Sequence, residues 1–586
     1  MLILKGFPVS PGIFIGEAFV FEGEEGSISE RFIAADSIAS ELNRFDEAVK
    51  HVIAELGQLR DSVQGQLGAS TAMIFEAHTD ILKDPRIRKD VARKVETNLY
   101  SAEYATTRVF RALRARFQSI DNEILASRAD DIDDIRRRLL AALRGDHADP
   151  LTSVTGEICV CSNNLAPSQT ARFDRNHVKA LVTEVGGRTS HTAILARGFG
   201  IPAVVGIEEL MNEVAAGDTL IVDGNTGVVV LDPDEKALEH YRELQGEFAK
   251  AVEVAGRDRA LPIESPESGH ITVLGNIEFP EEAAEVVEQG GEGIGLFRTE
   301  FLYLRQRALP SEEEHFEAYL ECLKNLKGHP LTIRTLDVGA DKVIEEKWVE
   351  EPNPFLGCRS IRVSMRRPDV FRTQIRAVLR AAAHGPVKIM VPMVTAVHEM
   401  VWARTTIQSV AEELTEQNIP HKGDIPIGAM IEVPSAALCC DLFAPHCDFF
   451  AIGTNDLTMY AMAVDRGNEH VADLCTPSNP ALLRLVQKIL ADGAKFNVPV
   501  CMCGEMAGDP IYVPLLLGLG LREYSVGSHA VPLVKQILRH VPLKECTELA
   551  QEVLQLDRSD AVITVLRKFL ACRIDPGLLA FGATST

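Results

Sequence analysis

Hydrophobic residues recur at helical spacing between residues 30 and 145, a stretch whose only proline is Pro85. Spacings of three and four residues place such side chains on one face of an amphipathic helix. The pattern predicts four helices that pack as an all-helical module of about two hairpins. The predicted core positions are Leu42, Phe45, Val49, Val52, Leu56 and Leu59 in the first helix; Met73, Phe75, Ile81 and Leu82 in a second helix that ends at Asp84–Pro85; Tyr104, Val109, Phe110, Leu113 and Phe117 in a third; and the fourth helix covers 129–143.

Short hydrophobic runs typical of strands flank this helical stretch on both sides. Residues 1–22 contain a short β segment with a turn at Pro11–Gly12. Further strands follow within 150–232, where DGNTG at 223–227 predicts a hairpin turn. These runs predict a small β/α domain. The charged segment 234–256 predicts a helix that links this domain to the rest of the chain.

Strand and helix patterns alternate from about residue 268 to residue 572. Eight apolar strand candidates occur there, with helical patterns between most of them. Eight such units predict a (β/α)8 barrel, the TIM barrel, whose active sites lie at the carboxyl ends of the strands. The candidates are ITVLGN (271–276), GIGLFR (293–298), LTIRTLD (331–337), VKIMVPM (387–393), PIGAMIE (426–432), FFAIGTN (449–455), PVCMCGE (499–505) and REYSVG (522–527).

The chain is thus predicted to be a multidomain α/β protein, with a TIM barrel and a small β/α domain into which an all-helical domain is inserted. The predicted segments are an N-terminal strand segment that packs with the small β/α domain (1–29), the helical domain (30–145), the remainder of the β/α domain (146–232), a linker helix (233–267) and the barrel (268–586).

The acidic composition argues against partners that are themselves strongly negative. With 84 acidic and 60 basic residues the net charge is −24, and we expect no nucleic-acid or anionic-membrane partner, since either requires a basic face. We find no signal-peptide pattern and no apolar run of membrane-span length. The 12 cysteines lack the second pair and the histidines of a zinc site, and a reducing cytoplasm is the expected compartment.

Arginines near the predicted strand ends indicate an anionic ligand. Guanidinium groups bind phosphate and carboxylate through two parallel hydrogen bonds, so several of them at one barrel face suit a doubly anionic molecule. We expect Arg298 and Arg334 to be buried at the ends of apolar strands, where a binding role is favoured over a surface role. The candidates are Arg298, Arg334, Arg359 and Arg466.

Two carboxylates, Glu432 and Asp456, follow neighbouring predicted strands. Hard oxygen ligands suit Mg²⁺, with phosphate oxygens and waters completing its octahedron. The alternative for Asp456 is a helix cap, and Asn455 offers an amide contact to an anion. Cys503, at the end of the seventh strand, is either a small core residue or a proton donor or nucleophile.

His191 lies in the segment GGRTSHTAILAR at 186–197. The glycines allow a tight turn, and the hydroxyl residues offer caps to the helix that follows. Amides at that helix start would stabilise a phosphate dianion on the imidazole. His191 is therefore a helix-start residue, a metal ligand, a general base or a nucleophile that carries phosphate. A role as a metal ligand is less favoured, because no second ligand lies near His191 in the sequence.

Long motifs along nearly the whole chain resemble, in the same order, the phosphoenolpyruvate-utilising enzymes that work through a mobile phosphohistidine domain. Within that family the chain is similar to enzyme I of bacterial sugar phosphotransferase systems. The motifs are SPGIFIGEAFV, FEAHTDILKDP, GGRTSHTAILAR, GLFRTEFLY, NPFLGCRSIR, MIEVPSA, GTNDLTMYAMAVDRGN and CMCGEMAGD.

The resemblance implies a role for each residue that matches a motif. His191 would accept the phosphoryl group of phosphoenolpyruvate (PEP), with Thr170 as its hydrogen-bond partner and Arg197 assisting at the phosphate. Cys503 would protonate the enolate to give pyruvate. The implied ligands of PEP are Arg298, Arg334, Arg359, Asn455 and Arg466, and those of Mg²⁺ are Glu432 and Asp456.

The resemblance also implies partners and motion. Residues 30–145 would bind the phosphocarrier protein HPr, the second acceptor of the phosphoryl group. Residues 146–232 would form a phosphohistidine domain that swivels on the linker 233–267. The barrel, 268–586, would bind PEP and join two chains in a homodimer. The implied function is the first, cytoplasmic step of sugar uptake by the phosphotransferase system.

Three other readings compete with this one. Pyruvate phosphate dikinase and PEP synthase share the histidine domain and barrel, but residues 30–145 are too few for their nucleotide-grasp domain and lack a Gly-rich phosphate loop. A magnesium-dependent barrel lyase or aldolase acting on pyruvate leaves residues 1–232 unexplained. A regulator that has lost activity conflicts with the intact arginines, carboxylates and Cys503.

Overall fold

The chain, seen in a computed structural model, divides into two compact units, Met1–Gly246 and Glu247–Thr586. Each unit has apolar cores of its own. None of the described helices is long and apolar enough to cross a membrane. The residues that the structure describes are 1–10, 12–21, 32–67, 75, 78–118, 123–144, 156–165, 177–186, 196, 201–265, 269–304, 309–339, 353–465, 471 and 474–573.

The helical part of the first unit packs around a single apolar core. Phe45, Val52 and Leu56 on the first helix are buried in it, and so is Phe110 on the third, as their spacing predicts. The helices are α1 (Ile38–Leu67), α2 (Pro85–Asn98), α3 (Ala102–Gln118) and α4 (Glu123–Arg144).

Helix α2 is absent from the sequence prediction, which placed only a helix end at Asp84–Pro85. Its apolar face consists of only three residues, Ile87, Val91 and Val95, spaced four apart among charged ones. Its start carries two clear signals. Asp84 accepts a hydrogen bond from the N–H of Arg86 at 2.9 Å, and Pro85 occupies the first helical turn.

The same unit contains an eight-stranded mixed sheet with the order β1-β8-β7-β3-β4-β5-β6-β2. Strands β3 to β6 run parallel, and the remaining pairs are antiparallel. The strands are β1 (Leu2–Lys5), β2 (Phe7–Ser10), β3 (Ile13–Phe21), β4 (Ile158–Ser162), β5 (Val178–Thr183), β6 (Ala203–Val205), β7 (Thr219–Asp223) and β8 (Val228–Leu231).

Helices α1 to α4 are inserted in the sequence between β3 and β4, which pair directly with each other in parallel. The hairpin predicted at DGNTG is confirmed, since β7 and β8 pair across it. Asp223 closes the turn by accepting the hydroxyl of Thr226 at 2.6 Å. Helix α5 (Leu210–Glu213) lies between β6 and β7, and helix α6 (Glu235–Asp258) follows β8.

The second unit is built on a closed barrel of eight parallel strands. Strand β10 pairs with both β11 and β17, which closes the sheet, and β9 extends it as an antiparallel edge. The TIM barrel and all eight of its strands are confirmed. The strands are β9 (Ile263–Ser265), β10 (Gly269–Ile277), β11 (Ile294–Phe297), β12 (Leu331–Arg334), β13 (Val387–Val391), β14 (Ile427–Ile431), β15 (Phe450–Ile452), β16 (Val500–Met502) and β17 (Glu523–Gly527).

Helices cover the outside of this barrel, and their apolar faces join the strands in one large core. They are α7 (Glu282–Glu288), α8 (Glu300–Leu304), α9 (Glu312–Leu326), α10 (Ile361–Arg366), α11 (Pro368–Ala381), α12 (Val397–Glu416), α13 (Pro434–Leu438), α14 (Cys440–Phe443), α15 (Thr454–Met462), α16 (Pro480–Phe496), α17 (Val513–Leu519), α18 (Val531–His540), α19 (Leu543–Val553) and α20 (Ser559–Ala571).

A second, smaller apolar cluster contains Leu296, Met390, Met430, Phe449, Ala451 and Cys503. Its members come from β11, β13, β14 and β15 and from the segments beside β15 and β16. Large side chains of alternate strands fill the interior of a TIM barrel in layers, so this cluster fits the barrel interior. Cys503 follows the last residue of β16 and therefore belongs to the carboxyl-end side.

Candidate anion and metal site at the carboxyl ends of the barrel strands

Arg334 is the last residue of β12, and two carboxylates hold its guanidinium. Its Nη2 atom lies 3.0 Å from Oε1 of Glu300, and its Nη1 atom lies 3.0 Å from Oδ2 of Asp337. The Arg334 side chain is 12% exposed. Its Nε–H is buried and finds no hydrogen-bond acceptor among the described residues. The fork of Arg334 is therefore fixed by acids, with one buried donor left for a ligand.

Arg359 contacts the same carboxylate, that of Asp337. Its Nη2 atom lies 3.0 Å and 3.2 Å from the two carboxylate oxygens of Asp337, and 3.3 Å from Oδ2 of Asp456. The hydroxyl of Ser360 also donates to Asp337. Asp337 thus joins both arginines, and Arg359 connects the segment after β12 with the helix after β15.

The ionised state of Asp337 follows from these contacts. Burial favours its neutral form, but Arg334 and Arg359 outweigh burial and lower the pKa of Asp337 to about 2. Burial also opposes the charge on Arg334, yet the neighbouring Glu300 and Asp337 raise its pKa above the usual value. At neutral pH the cluster therefore holds two guanidinium cations and at least one carboxylate anion that are largely shielded from bulk water.

Glu432 and Asp456 follow neighbouring parallel strands, β14 and β15, as the sequence predicts. Glu432 is 2% exposed, and its Oε1 atom accepts the N–H of Met393 at 2.6 Å. Asp456 lies in the first turn of α15 rather than at its cap, which Gly453 occupies. Burial and the charges of Asp337 and Asp456 raise the pKa of Glu432 to about 8.

A divalent cation fits this pair of acids on chemical grounds. The negative charges of Asp337 and Asp456 disfavour ionisation of Glu432, and a cation would offset that repulsion. Carboxylate oxygens are the ligands that Mg²⁺ prefers, and it retains several non-protein ligands. Within the described part of the chain, no group of three or more His, Cys, Asp or Glu side chains is arranged to hold a metal. Two carboxylates alone would leave the other positions of an octahedral cation to oxygens from outside the chain.

Cys503 is 3% exposed and belongs to the smaller apolar cluster. Its thiol lies 3.6 Å from the carbonyl oxygen of Ile452, to which it donates. Burial and the nearby charge of Glu432 raise the pKa of Cys503 to about 12. The thiol is therefore protonated at neutral pH, which suits an acid and disfavours a thiolate nucleophile.

The segments after β15 and β16 are locked together beside this thiol. The side-chain amide of Asn455 donates to Oε1 of Glu505 at 3.1 Å and accepts the N–H of Glu505 at 3.1 Å. Gly504 is required between them, because a Cβ there would lie 1.9 Å from Oγ1 of Thr454. Asn455 therefore anchors the start of α15, a contact that the sequence did not predict.

Arg298 corrects one expectation. It follows β11, but its side chain is 37% exposed, and its Nη1 atom lies 2.7 Å from Oε1 of Glu278. The prediction of a buried guanidinium is wrong, because Arg298 lies just beyond the last residue of β11 and its guanidinium pairs with the exposed carboxylate of Glu278. Its place near the carboxyl end of β11 agrees with the prediction.

Four of the predicted site residues lie outside the residues that the structure describes. They are His191, Thr170, Arg197 and Arg466. The roles assigned to them remain predictions. The residues that the structure brings together are Arg334, Arg359, Glu432 and Asp456, with Asp337 at their centre.

Sequence reasoning missed Glu300, the partner of Arg334, and identified Asp337 only as a polar residue at the same strand end as Arg334. A usable signal existed for Asp337, which follows Arg334 by three residues at a strand end. Glu300 has no such signal, since it lies 34 residues before the arginine that it holds and pairs with it only through the parallel contact of β11 and β12.

Models of protein families match most of the chain. Residues 5–128 match the N-terminal domain of PEP-utilising enzymes, and residues 154–227 match their mobile domain. Residues 253–543 match their PEP-binding domain.

Relatives with established names are similar over their whole length. A phosphoenolpyruvate-protein phosphotransferase of Staphylococcus carnosus is 38% identical over 567 residues, which is 97% of this chain and 99% of that protein. One of Bacillus subtilis is 38% identical over 566 residues, 96% of this chain and 99% of that protein. A solved solution structure of an Enzyme I protein is 35% identical and covers 42% of this chain and 99% of its own, with a TM-score of 0.37. The chain belongs to the phosphoenolpyruvate-protein phosphotransferases, a family of PEP-utilising enzymes.

Proposed function

We propose that this enzyme transfers the phosphoryl group of PEP to its own His191 and then to a histidine of an HPr-type carrier protein, releasing pyruvate. This reaction is the first step of sugar uptake by a phosphotransferase system. The observation that carries the proposal is the buried pair of arginines, Arg334 and Arg359, joined by Asp337 beside two further acids at the barrel mouth. Such a site suits a small, multiply charged anion.

PEP presents a carboxylate and a phosphate, and the arginines would bind them. Arg334 and Arg359 are held in place before the ligand arrives, so little side-chain entropy is lost on binding. The buried Nε–H of Arg334 offers a donor that a phosphate or carboxylate oxygen satisfies. Arg298, Arg466 and Asn455 complete the proposed set; Asn455 also fixes the start of α15 through Glu505.

Mg²⁺ is the proposed cofactor, and Glu432 and Asp456 would hold it. When bound, it neutralises charge on the phosphoryl oxygens during transfer. Glu432 is positioned for this by the N–H of Met393, and Asp456 by Arg359. These contacts fix both carboxylates without any exposed, mobile side chain.

The proposed reaction has two steps, transfer of the phosphoryl group and protonation of the enolate. The P–O bond of PEP breaks as a ring nitrogen of His191 bonds to phosphorus, and the enolate of pyruvate remains. Thr170 would orient the imidazole, and Arg197 would assist at the phosphate. The protonated thiol of Cys503 delivers its proton to the methylene carbon of the enolate, which gives the ketone. Solvent then returns a proton to the thiolate.

We further propose the division of labour along the chain. Residues 30–145 would bind the carrier, 1–29 and 146–232 would form the phosphohistidine domain, and 233–267 would link it to the barrel of 268–586. Acidic composition, with a net charge of −24, suits a basic carrier protein. The enzyme would act in the cytoplasm as a homodimer joined through the barrel.

Phosphoryl uptake from labelled PEP tests this function. With Mg²⁺ present, we expect the wild-type chain to take up label on His191 and to pass it to an HPr-type carrier. The variant His191→Ala should take up none while it still binds PEP. Label on His191→Ala, or labelling of the wild type by ATP instead of PEP, would contradict the proposal.

A further inference from the structure

The turn after β12 is irregular, and side chains from other elements hold its backbone. Strand β12 ends at Arg334, and the turn runs to Asp337. The N–H of Leu336 donates to Oε1 of Gln374 at 3.0 Å. The N–H of Asp337 donates to Oε1 of Glu300 at 3.2 Å. The two ends of this turn carry the guanidinium and the carboxylate on which the anion site is built.

Gln374, on α11, is fully buried and uses its whole amide. Its oxygen accepts from Leu336, and its nitrogen donates to Oγ1 of Thr299 at 3.1 Å and to the hydroxyl of Tyr319 at 3.2 Å. Thr299 in turn donates to the carbonyl oxygen of Arg334 at 3.0 Å. Gln374 therefore holds the turn directly at Leu336 and, through Thr299, at Arg334.

This arrangement fixes one orientation of the amide. Both amide hydrogens of Gln374 and its oxygen have partners, so rotating the group by half a turn would set donors against Leu336 and leave Thr299 facing an oxygen. Burial of the side chain removes water as a substitute partner. Gln374 thus helps to hold the turn, together with Glu300 at Asp337 and a backbone bond from Thr335 to Met390. It makes no described hydrogen bond to an arginine side chain or a carboxylate of the site.

We infer that Gln374 is a positioning residue for the PEP site, acting on Arg334 and Asp337 through the backbone of the turn that joins them. The inference rests on the proposed function. Because Asp337 also holds Arg359, a displaced turn misplaces both guanidinium groups. Correct placement of such groups contributes strongly to binding and to transition-state stabilisation.

The test is the pair of Michaelis constants of Gln374→Met, a variant of similar shape without the amide. Rates of phosphoryl transfer from PEP to the carrier are measured while each substrate is varied. We expect the KM for PEP to rise about tenfold or more, the size expected when a buried hydrogen-bonded group is lost. The KM for the carrier should stay within about twofold, since the turn belongs to the PEP site alone.

Tyr319→Phe is the matched control. It removes one hydrogen bond from the same buried group, but Tyr319 contacts neither Leu336 nor Thr299 by a hydrogen bond that the structure describes. We expect a lower melting temperature and a KM for PEP that rises far less than in Gln374→Met, because the bonds of the amide to Leu336 and Thr299 remain. A rise in that KM equal to that of Gln374→Met would show a general packing defect and overturn the inference.

Two more variants keep the test decisive if Gln374→Met does not fold. Gln374→Glu retains an oxygen for Leu336, so its KM for PEP should lie closer to the wild-type value. Thr299→Val removes the bond to the carbonyl of Arg334 and should raise that KM. If these variants are active and their KM for PEP is unchanged, the positioning role of Gln374 is refuted, but the proposed function is not. A wild-type chain that transfers nothing from PEP would instead refute the proposed function.

Discussion

The acid–base chemistry of Cys503 depends on its surroundings. An exposed thiol would be partly ionised near neutral pH, whereas burial beside Glu432 raises the pKa of this one to about 12. A protonated thiol among apolar side chains is a poor nucleophile and a usable proton donor. The same environment that makes the residue resemble a plain core cysteine therefore equips it for the acid role.

Replacing Cys503 should separate binding from turnover. We expect Cys503→Ala to lower kcat for pyruvate release by about two orders of magnitude or more, because general-acid catalysis contributes that much. PEP binding should be nearly unchanged, since the arginines remain. Stopped-flow rates and calorimetric titration measure the two effects. Cys503→Ser, which keeps a weaker donor, is the control, and wild-type turnover in the alanine variant would remove Cys503 from the mechanism.

A second prediction at the scale of one side chain concerns His315 and the dependence of stability on pH. His315 is buried on α9, and burial lowers its pKa from 6.5 to about 4. Its Nδ1 atom lies 2.9 Å from the hydroxyl of Tyr319. The folded pKa is below the unfolded value, so the neutral form stabilises the fold fully above pH 6.5, and this contribution is lost as the pH falls towards 4.

The variant His315→Gln should remove this part of the acid sensitivity. Urea unfolding at pH 7 and at pH 4.5 measures it. Between pH 7 and pH 4.5, we expect the free energy of unfolding to fall by about 2–3 kcal/mol more in the wild type than in the variant. Other acids titrate in both proteins and cancel in the comparison. Equal losses in both proteins would show that folding does not lower the pKa of His315.

Helix α15 shows how one element depends on a neighbour's glycine. Its first turn carries Asn455 and Asp456, and Gly504 lies against it so closely that a methyl group would overlap Thr454. The bonds between Asn455 and Glu505 hold the two segments in this contact. The position of Asp456 is therefore set partly by the strand that follows in the barrel.

Gly504→Ala should impair the site without unfolding the barrel. The added Cβ would lie 1.9 Å from Oγ1 of Thr454, so α15 must shift and carry Asp456 with it. We expect a higher Mg²⁺ requirement and a loss of activity of about 10²-fold. Gly508→Ala is the control, because its Cβ would have ordinary contacts, the nearest at 3.5 Å from Val526. Equal activity in both variants would contradict the packing argument.

The sequence predicts elements better than it predicts contacts between them. All eight barrel strands were predictable because buried parallel strands are uninterrupted apolar runs, and the strand ends then indicated Arg334, Glu432, Asp456 and Cys503. Helix α2 was missed because its apolar stripe contains only three residues, spaced four apart among charged ones.

Contacts between distant elements were not predictable in the same way. Gln374 and Glu300 join the site by reaching the backbone of one turn from separate helices, and nothing in their local sequence shows this. The burial of Arg298 was predicted wrongly for a related reason, since strand patterns do not tell where the chain turns after the strand.

At the scale of the whole molecule, the described candidates for anion and metal binding all lie in the second unit, Glu247–Thr586. Ligand binding to a folded unit protects that unit from opening. We expect PEP with Mg²⁺ to slow amide exchange in the segments after β12, β14 and β15. The core of α1 to α4 should be unaffected. Protection confined to the helical core would place the PEP site elsewhere.

We propose that PEP bound at the barrel mouth donates its phosphoryl group to His191. A single-turnover experiment with excess PEP, Mg²⁺ and no carrier measures this step. We expect a burst of one pyruvate per chain, matched by one phosphoryl group on His191, and no burst from His191→Ala. Sustained pyruvate release from His191→Ala, without phosphorylation of the chain, would contradict it and favour a barrel lyase.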